Sequence, residues 1–169
     1  TIDWKAPNIG ENNLNNIPTS ERFHFENGLM DLVRSNTAVE YNITNDYFVG
    51  EVDFKEKFDL NEKGSIQWCA CFNTYNPVIK SFCNTIPTSE GGTHQTGFLN
   101  AIAKGFKSYV ELIGDKKFFA INKDDVLEIL SSSISVFVEQ PQFVGQTKDK
   151  LSNLEVQKKV ESIIKDRFE

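Results

Sequence analysis

The sequence predicts an α+β domain, an antiparallel-rich sheet with helices packed on one face. Three observations carry that expectation. Residues 47–58 place Phe48, Val52, Phe54 and Phe58 on even positions with charges mostly between them, the period of two of a half-buried antiparallel strand. From Gly92 the period changes: Phe98, Ala101, Ile102, Phe106, Tyr109, Val110 and Ile113 recur every three or four residues, marking a long amphipathic helix that ends near Gly114. Strands come first in the chain, followed by helix, helix, strand and helix, an order that lays helices on a sheet.

The elements follow in order. Residues 1–6 read as a strand, and the Asn-rich stretch 7–20, with Pro18, as a loop. Residues 21–26 form a strand with Phe23 and Phe25 on one side and His24 pointing away from both rings. Asn27-Gly28 turns the chain into a short helix over 29–34. After the strand at 47–58, a turn at 61–64 leads to strands at 65–72 and 78–85, and three strands in a row predict a meander. Asn122 is placed to cap a short helix running to Leu130, with Asp124 and Asp125 in its first turn. Residues 131–139 form a strand carrying Ile134, Val136 and Val138 on one face, ended by Pro141. Ser152 or Asn153 caps a last helix bearing Leu154, Val156, Val160, Ile163 and Ile164. Its pattern is unresolved at Glu169, and the chain opens in a strand without an initiator Met; both ends read as cuts in a longer protein.

Composition bounds the function. The 169 residues suffice for one domain with its own core. Hydrophobic residues make up 39% and aromatics 12%, and 14 of the aromatics are Phe, so a Phe-rich core is expected rather than disorder. The net charge of −6 means that any nucleic-acid contact must come from a local basic patch. There is no apolar run long enough to span a membrane and no signal peptide at the start; a cytoplasmic protein is expected. Cys69 and Cys71 lie two apart in one strand and Cys83 in the next. A three-cysteine zinc site lacks a fourth ligand nearby, and buried reduced thiols are the better reading.

Two motifs carry the chemistry. Gln142-Phe143-Val144-Gly145-Gln146-Thr147-Lys148-Asp149-Lys150-Leu151 lies between an apolar strand and an amphipathic helix. It is a loop built to present a cation, and phosphate is the usual partner of a lysine ammonium. Glu90-Gly91-Gly92-Thr93-His94 follows a strand and opens the long helix. Its glycines could present backbone N–H groups to a phosphate. It lacks the spacing of a Walker loop, however, and no Lys-Ser or Lys-Thr follows. The structural reading is stronger: the glycines permit a tight turn, Thr93 caps the helix, and His94 packs or hydrogen-bonds to fix the corner.

Together, Glu90-Gly91-Gly92-Thr93-His94 and the later Gly145-Gln146-Thr147-Lys148, with the segment starting at Phe23-His24-Phe25-Glu26-Asn27-Gly28-Leu29, resemble the ATPase-bearing subunit of bacterial type IIA DNA topoisomerases. This family comprises the B subunits of gyrase and of topoisomerase IV. Cys83-Asn84-Thr85-Ile86-Pro87-Thr88 is more similar to topoisomerase IV. The resemblance covers nearly the whole chain and implies a ribosomal-protein-like transducer domain, standing directly after a GHKL-type ATPase domain.

From that resemblance, Lys148 is expected to reach the terminal phosphate of ATP in the neighbouring domain, with Gln146 in the same loop as a second donor. Thr147 is expected to shape the turn. The general base, the Mg2+-binding asparagine and the adenine-reading aspartate of the family have no counterpart motif here. ATP and Mg2+ are therefore expected to act in the full-length protein, with none bound to this chain alone and no turnover by it. The implied partners are DNA, a second copy of the same polypeptide closing a dimeric clamp, and the DNA-cleaving subunit of a heterotetramer. Lys104, Lys107, Lys116 and Lys117 are the basic residues available to line a DNA cavity, a solvated helix face being the plain alternative. Two positions depart from the family. Leu99 stands where an arginine is common and Gln95 where a glutamate is usual, and the loss at Leu99 weakens any expectation of a strong grip on DNA.

Overall fold

The computed structural model describes residues 2–5, 20–59, 61–114 and 120–168. The loop expected at 7–20 and the lysines at 116 and 117 lie outside them, apart from Ser20. β1 (Ile2–Lys5) and β2 (Ser20–Phe23) pair antiparallel as a separate ribbon. Helix α1 (Leu29–Asn36) follows, and His24 just before it is exposed, as expected of a surface histidine. The main sheet has five strands: β3 (Phe48–Asp53), β4 (Ser65–Phe72), β5 (Ile79–Cys83), β6 (Ile86–Pro87) and β7 (Leu130–Phe137). Their order is β3-β4-β7-β5-β6.

That order corrects the meander. β3 and β4 form the expected antiparallel pair, but β5 does not lie beside β4. β7 inserts between them, antiparallel to β4 and parallel to β5. The connection from β5 to β7 therefore runs over the sheet through α3 (Thr93–Ile113) and α4 (Lys123–Leu127), as a parallel pair requires. The physical reason is burial. All of β7 from Leu130 through Val136 is buried, and a strand so covered belongs in the middle of a sheet.

The long strand expected over 47–58 is shorter. It stops at Asp53, and residues 54–57 close a helical turn, α2 (Phe54–Lys57), with the Phe58 N–H donating to the Phe54 carbonyl at 2.9 Å. Phe54 is then fully buried while Phe58 lies outside. α4 also ends before Leu130, which instead opens β7. Its expected cap is present: the Asp124 N–H donates to Asn122 Oδ1 at 2.7 Å, and the Asn122 N–H to Asp125 Oδ2 at 2.7 Å.

α3 and α5 (Leu154–Phe168) cover one face of the sheet as expected, with α4 beside them. They approach closely because Gly97 of α3 faces α5 backbone. A Cβ there would sit 2.5 Å from the Gln157 carbonyl oxygen. The core beneath holds Phe54, Ile66, Trp68, Phe98, Ile102, Ile134 and Ile164. At its end Phe48, Phe72, Phe106 and Phe168 meet edge-on at 5.3–6.4 Å between centroids, which makes the Phe-rich core concrete. α1 adds a smaller layer on the other face, where Val33 packs on Cys69 and Cys71. The three thiols are therefore divided between the two faces, Cys83 lying in the main core, and no common metal could be reached by all of them. Burial pushes Cys69 up to about 12 and Cys83 up to about 11. Among the described residues no helix is long and apolar enough to cross a membrane.

Candidate functional site

The cation-presenting loop is the tip of a small hairpin. β8 (Phe143–Val144) and β9 (Lys150–Leu151) pair antiparallel, with residues 145–149 between them. Gln146, Thr147 and Lys148 are exposed there. Lys148 has a φ of +62°, a left-handed conformation that side chains with a Cβ rarely adopt. No hydrogen bond or ion pair holds its ammonium among the described residues.

The base of the hairpin is fastened to the entry of α5. Ser152 and Asn153, expected to cap that helix, instead spend their side chains on residues 140–142. The Gln142 N–H donates to Asn153 Oδ1 at 2.7 Å, Asn153 Nδ2 donates to the Gln140 carbonyl at 3.1 Å, and Ser152 Oγ donates to the Gln142 carbonyl at 3.0 Å.

The tip is fastened to the second motif. Ser89 Oγ donates to Asp149 Oδ1 at 2.8 Å, the Glu90 N–H to the Asp149 carbonyl at 2.9 Å, and the Leu151 N–H to the Gly91 carbonyl at 3.2 Å. Gly92 and Leu151 form a parallel bridge. No side chain fits at Gly92, since a Cβ would meet the Leu151 carbonyl oxygen at 2.4 Å, and its φ is +134°. The Thr147 side chain nearby and the Ser89 hydroxyl hold the Asp149 carboxyl below the usual carboxylate range.

These bonds also decide the role of Glu90-Gly91-Gly92. Two of its amides are committed to protein partners, that of Glu90 to the Asp149 carbonyl and that of Gly91 to the Thr88 carbonyl, each at 2.9 Å. With those two donors taken, the segment forms a structural corner between β6 and α3. Thr93 does not cap α3. Gly92 occupies the capping position without a side-chain bond, and Thr93 Oγ1 is buried with no partner. His94 does fix the corner: it is fully buried and its Nε2 meets Thr88 Oγ1 at 3.2 Å. Thr88 Oγ1 in turn lies 2.6 Å from Ser81 Oγ, which reaches Gln95 Oε1 at 3.2 Å. Burial pushes the His94 imidazole down to about 4, so the ring is neutral at pH 7 and, sealed from solvent, serves as a packing group.

Sequence reasoning placed Lys148 and Gln146 in one loop and missed the residues that hold that loop. Ser89 and Asp149 are common polar loop residues, 60 positions apart, and no local pattern joins them. The basic helix face is reduced as well. Lys104 is engaged by Glu161, while Lys107 remains exposed. Leu99 points into the core at 5% exposure, and Gln95 joins the corner network. Among the described residues no group of three or more His, Cys, Asp or Glu could hold a metal ion.

Residues 26–169 match the DNA gyrase B family. The chain belongs to that family. It is 38% identical over 168 residues to the B subunit of DNA topoisomerase 4 from Bartonella bacilliformis, covering 99% of this chain and 24% of that protein. The corresponding protein of Caulobacter vibrioides is 39% identical over 157 residues, covering 90% and 22%. The B subunit of DNA gyrase from Mycoplasma pneumoniae is 35% identical over 161 residues, covering 90% and 24%. The chain thus spans about a quarter of the length of these relatives. Among solved structures it resembles the 43K ATPase domain of Thermus thermophilus gyrase B in complex with an aminocoumarin. The TM-score is 0.72 at 26% identity, over 88% of this chain and 38% of that one. The topoisomerase IV ATP-binding domain of Francisella tularensis gives 0.62 at 30% identity, over 87% and 38%.

Proposed function

We propose that this chain is the transducer domain of the ATPase-bearing subunit of a bacterial type IIA DNA topoisomerase, namely topoisomerase IV, and that Lys148 contacts the terminal phosphate of ATP. The observation that carries this reading is the state of Lys148. It is an exposed ammonium with no partner among the described residues, on a backbone held left-handed at the tip of a fastened hairpin. A solvated surface lysine needs no such support. Strained non-glycine backbone persists where surrounding structure over-determines it, commonly at ligand clamps.

The chemistry fits a phosphate and not a whole nucleotide. Lys148 supplies a compact cation with three donors, and Gln146 an amide, both in one loop. A preorganised cation of this kind stabilises the charge that develops on a departing phosphoryl group. The described residues form no metal-holding group. In this reading Mg2+ and the base that activates water belong to another domain of the full-length protein, the proposed GHKL ATPase domain. ATP, when bound there, supplies the phosphoryl group whose transfer to water drives the cycle.

The domain then works mechanically. Lys148 and Gln146 report on the terminal phosphate, and the links from their loop to α5 and to the start of α3 pass the loop's position to the domain body. The outcome is closure of a two-copy clamp on DNA, in an assembly with a DNA-cleaving subunit that passes one duplex through another. The names of the relatives from Bartonella and Caulobacter support topoisomerase IV over gyrase.

The test is steady-state ATP hydrolysis by the full-length protein. Lys148→Ala is expected to cut turnover by on the order of 10²-fold, the typical cost of removing one preorganised donor, with ADP affinity little changed. Lys148→Arg should not restore full activity, because a planar fork replaces a point charge. Parent-rate hydrolysis by Lys148→Ala refutes the reading. The isolated chain is expected to show no ATP hydrolysis above background.

A further inference from the structure

We propose that Ser89 and Asp149 form a positioning clamp that sets the direction of the Lys148 ammonium toward the phosphate. The inference rests on the reading of Lys148 as the phosphate contact. Neither clamp residue is a catalytic residue, since neither is expected to touch the nucleotide.

The backbone at Lys148 is strained. Lys148 sits at φ +62° between an exposed glycine-containing loop and Asp149. A lysine left to itself would relax out of that conformation, because its Cβ crowds the carbonyl. What opposes relaxation is the residue directly after it. Asp149 is held two ways: its carboxylate accepts from Ser89 Oγ at 2.8 Å, and its carbonyl accepts from the Glu90 N–H at 2.9 Å. The Ser89 bond ties Asp149 to the corner at the start of α3, whose far side is the buried His94–Thr88 contact. Lys148 is thus an exposed residue whose following neighbour is fixed through both its side chain and its carbonyl.

The hydrogen bonds are on the surface, where a single bond adds little to global stability. Their effect should appear in the geometry of the loop. A long flexible side chain loses its advantage as a preorganised donor when its own Cα wanders. The clamp also joins the two motifs that sequence alone could only set side by side: the Glu90-Gly91-Gly92 corner exists to hold the lysine loop.

The experiment uses the full-length protein and two readouts. The first is ATPase kinetics for Ser89→Ala, Asp149→Ala, Asp149→Asn, Lys148→Ala and the Lys148→Ala/Asp149→Ala double variant. Asp149→Ala should lower kcat by on the order of 10-fold, up to the 10²-fold that a misplacement of about 1 Å can cost. KM should move much less. Asp149→Asn keeps an Oδ1 acceptor for Ser89 and should recover most of the rate, which separates positioning from charge. Ser89→Ala should lower kcat in the same sense by a smaller factor. The double variant should be no slower than Lys148→Ala alone.

The second readout is amide hydrogen exchange without nucleotide, where Asp149→Ala should speed exchange at Glu90 and Leu151. A double variant slower than Lys148→Ala by the full factor of Asp149→Ala would show that Asp149 does not act through the lysine. Unchanged exchange at both amides would show that there is no clamp to break. Either result overturns this proposal and leaves the phosphate contact standing. Parent-rate turnover by Lys148→Ala removes the phosphate contact and this proposal together, and the exchange data then report separately on whether Asp149 holds the loop.

Discussion

His94 should make the stability of this chain fall between pH 7.5 and pH 5. The ring is fully buried, meets Thr88 Oγ1, and has its Nδ1 without a partner. Burial lowers its pKa from 6.5 to about 4. In the unfolded chain the imidazole takes up a proton near pH 6.5, while in the folded chain it resists until about pH 4. The unfolded state therefore binds more protons throughout that window, and stability drops as the pH falls through it. At about 1.4 kcal/mol per pH unit, the contribution should be near zero at pH 7.5, about 2 kcal/mol of lost stability by pH 5, and about 3 kcal/mol below pH 4. The carboxylates with lowered pKa values, Asp31, Asp149 and Asp166, start from 3.8 and remain ionised at pH 5, so this window isolates the histidine. Urea unfolding of the parent chain and of His94→Gln at pH 7.5 and pH 5 measures it. The variant can be less stable at pH 7.5, but it should lose about 2 kcal/mol less than the parent on going to pH 5. Equal losses in the two proteins would refute the assignment of a sealed, neutral ring.

Three further outcomes follow from packing. Gly92→Ala places a methyl 2.4 Å from the Leu151 carbonyl at φ +134°. It should cost at least about 2 kcal/mol, read from the denaturation midpoint. Asn84→Ala removes two 2.8 Å bonds between its amide and the Val138 backbone, at a residue with φ +49°. About 2 kcal/mol of destabilisation is expected, with Asn84→Gly recovering the conformational part. Cys69, Cys71 and Cys83 are buried with raised thiol pKa values. They should react with a thiol reagent only upon unfolding, and prompt labelling of the native chain at pH 7 would contradict the assigned core.

The chain's local patterns were legible because each rests on one stretch of residues. The 3.6-residue period located α3 and Gly114 ended it; the α4 cap followed from Asn122 and Asp125. The strand expected at 65–72 matches β4 to the residue. The failures share a cause. The period of two ran through Phe54 and Phe58, but a turn closed by the Phe58 N–H took over at residue 54 because Phe54 was already placed in the core. Thr93 has a capping side chain, yet Gly92 occupies the α3 cap; Asn153 does stand at the entry of α5, its carbonyl accepting the Gln157 N–H, but its side chain and that of Ser152 bind residues 140–142.

By itself, then, the sequence determined the α+β class, the faces of the helices, the cation-bearing loop and the membership of a family through two short motifs. Tertiary structure alone decided the strand order and the support of the site. β7 could enter between β4 and β5 only once α3 and α4 had carried the chain back across the sheet, a pairing between residues about 50 or more apart such as Ile79 with Ser132. Ser89 and Asp149 likewise meet only because β9 lies beside the Gly92 corner, where no Cβ intervenes. Local sequence sets dihedral preferences and which faces are apolar; which distant polar groups then come within about 3 Å is fixed by how those faces pack.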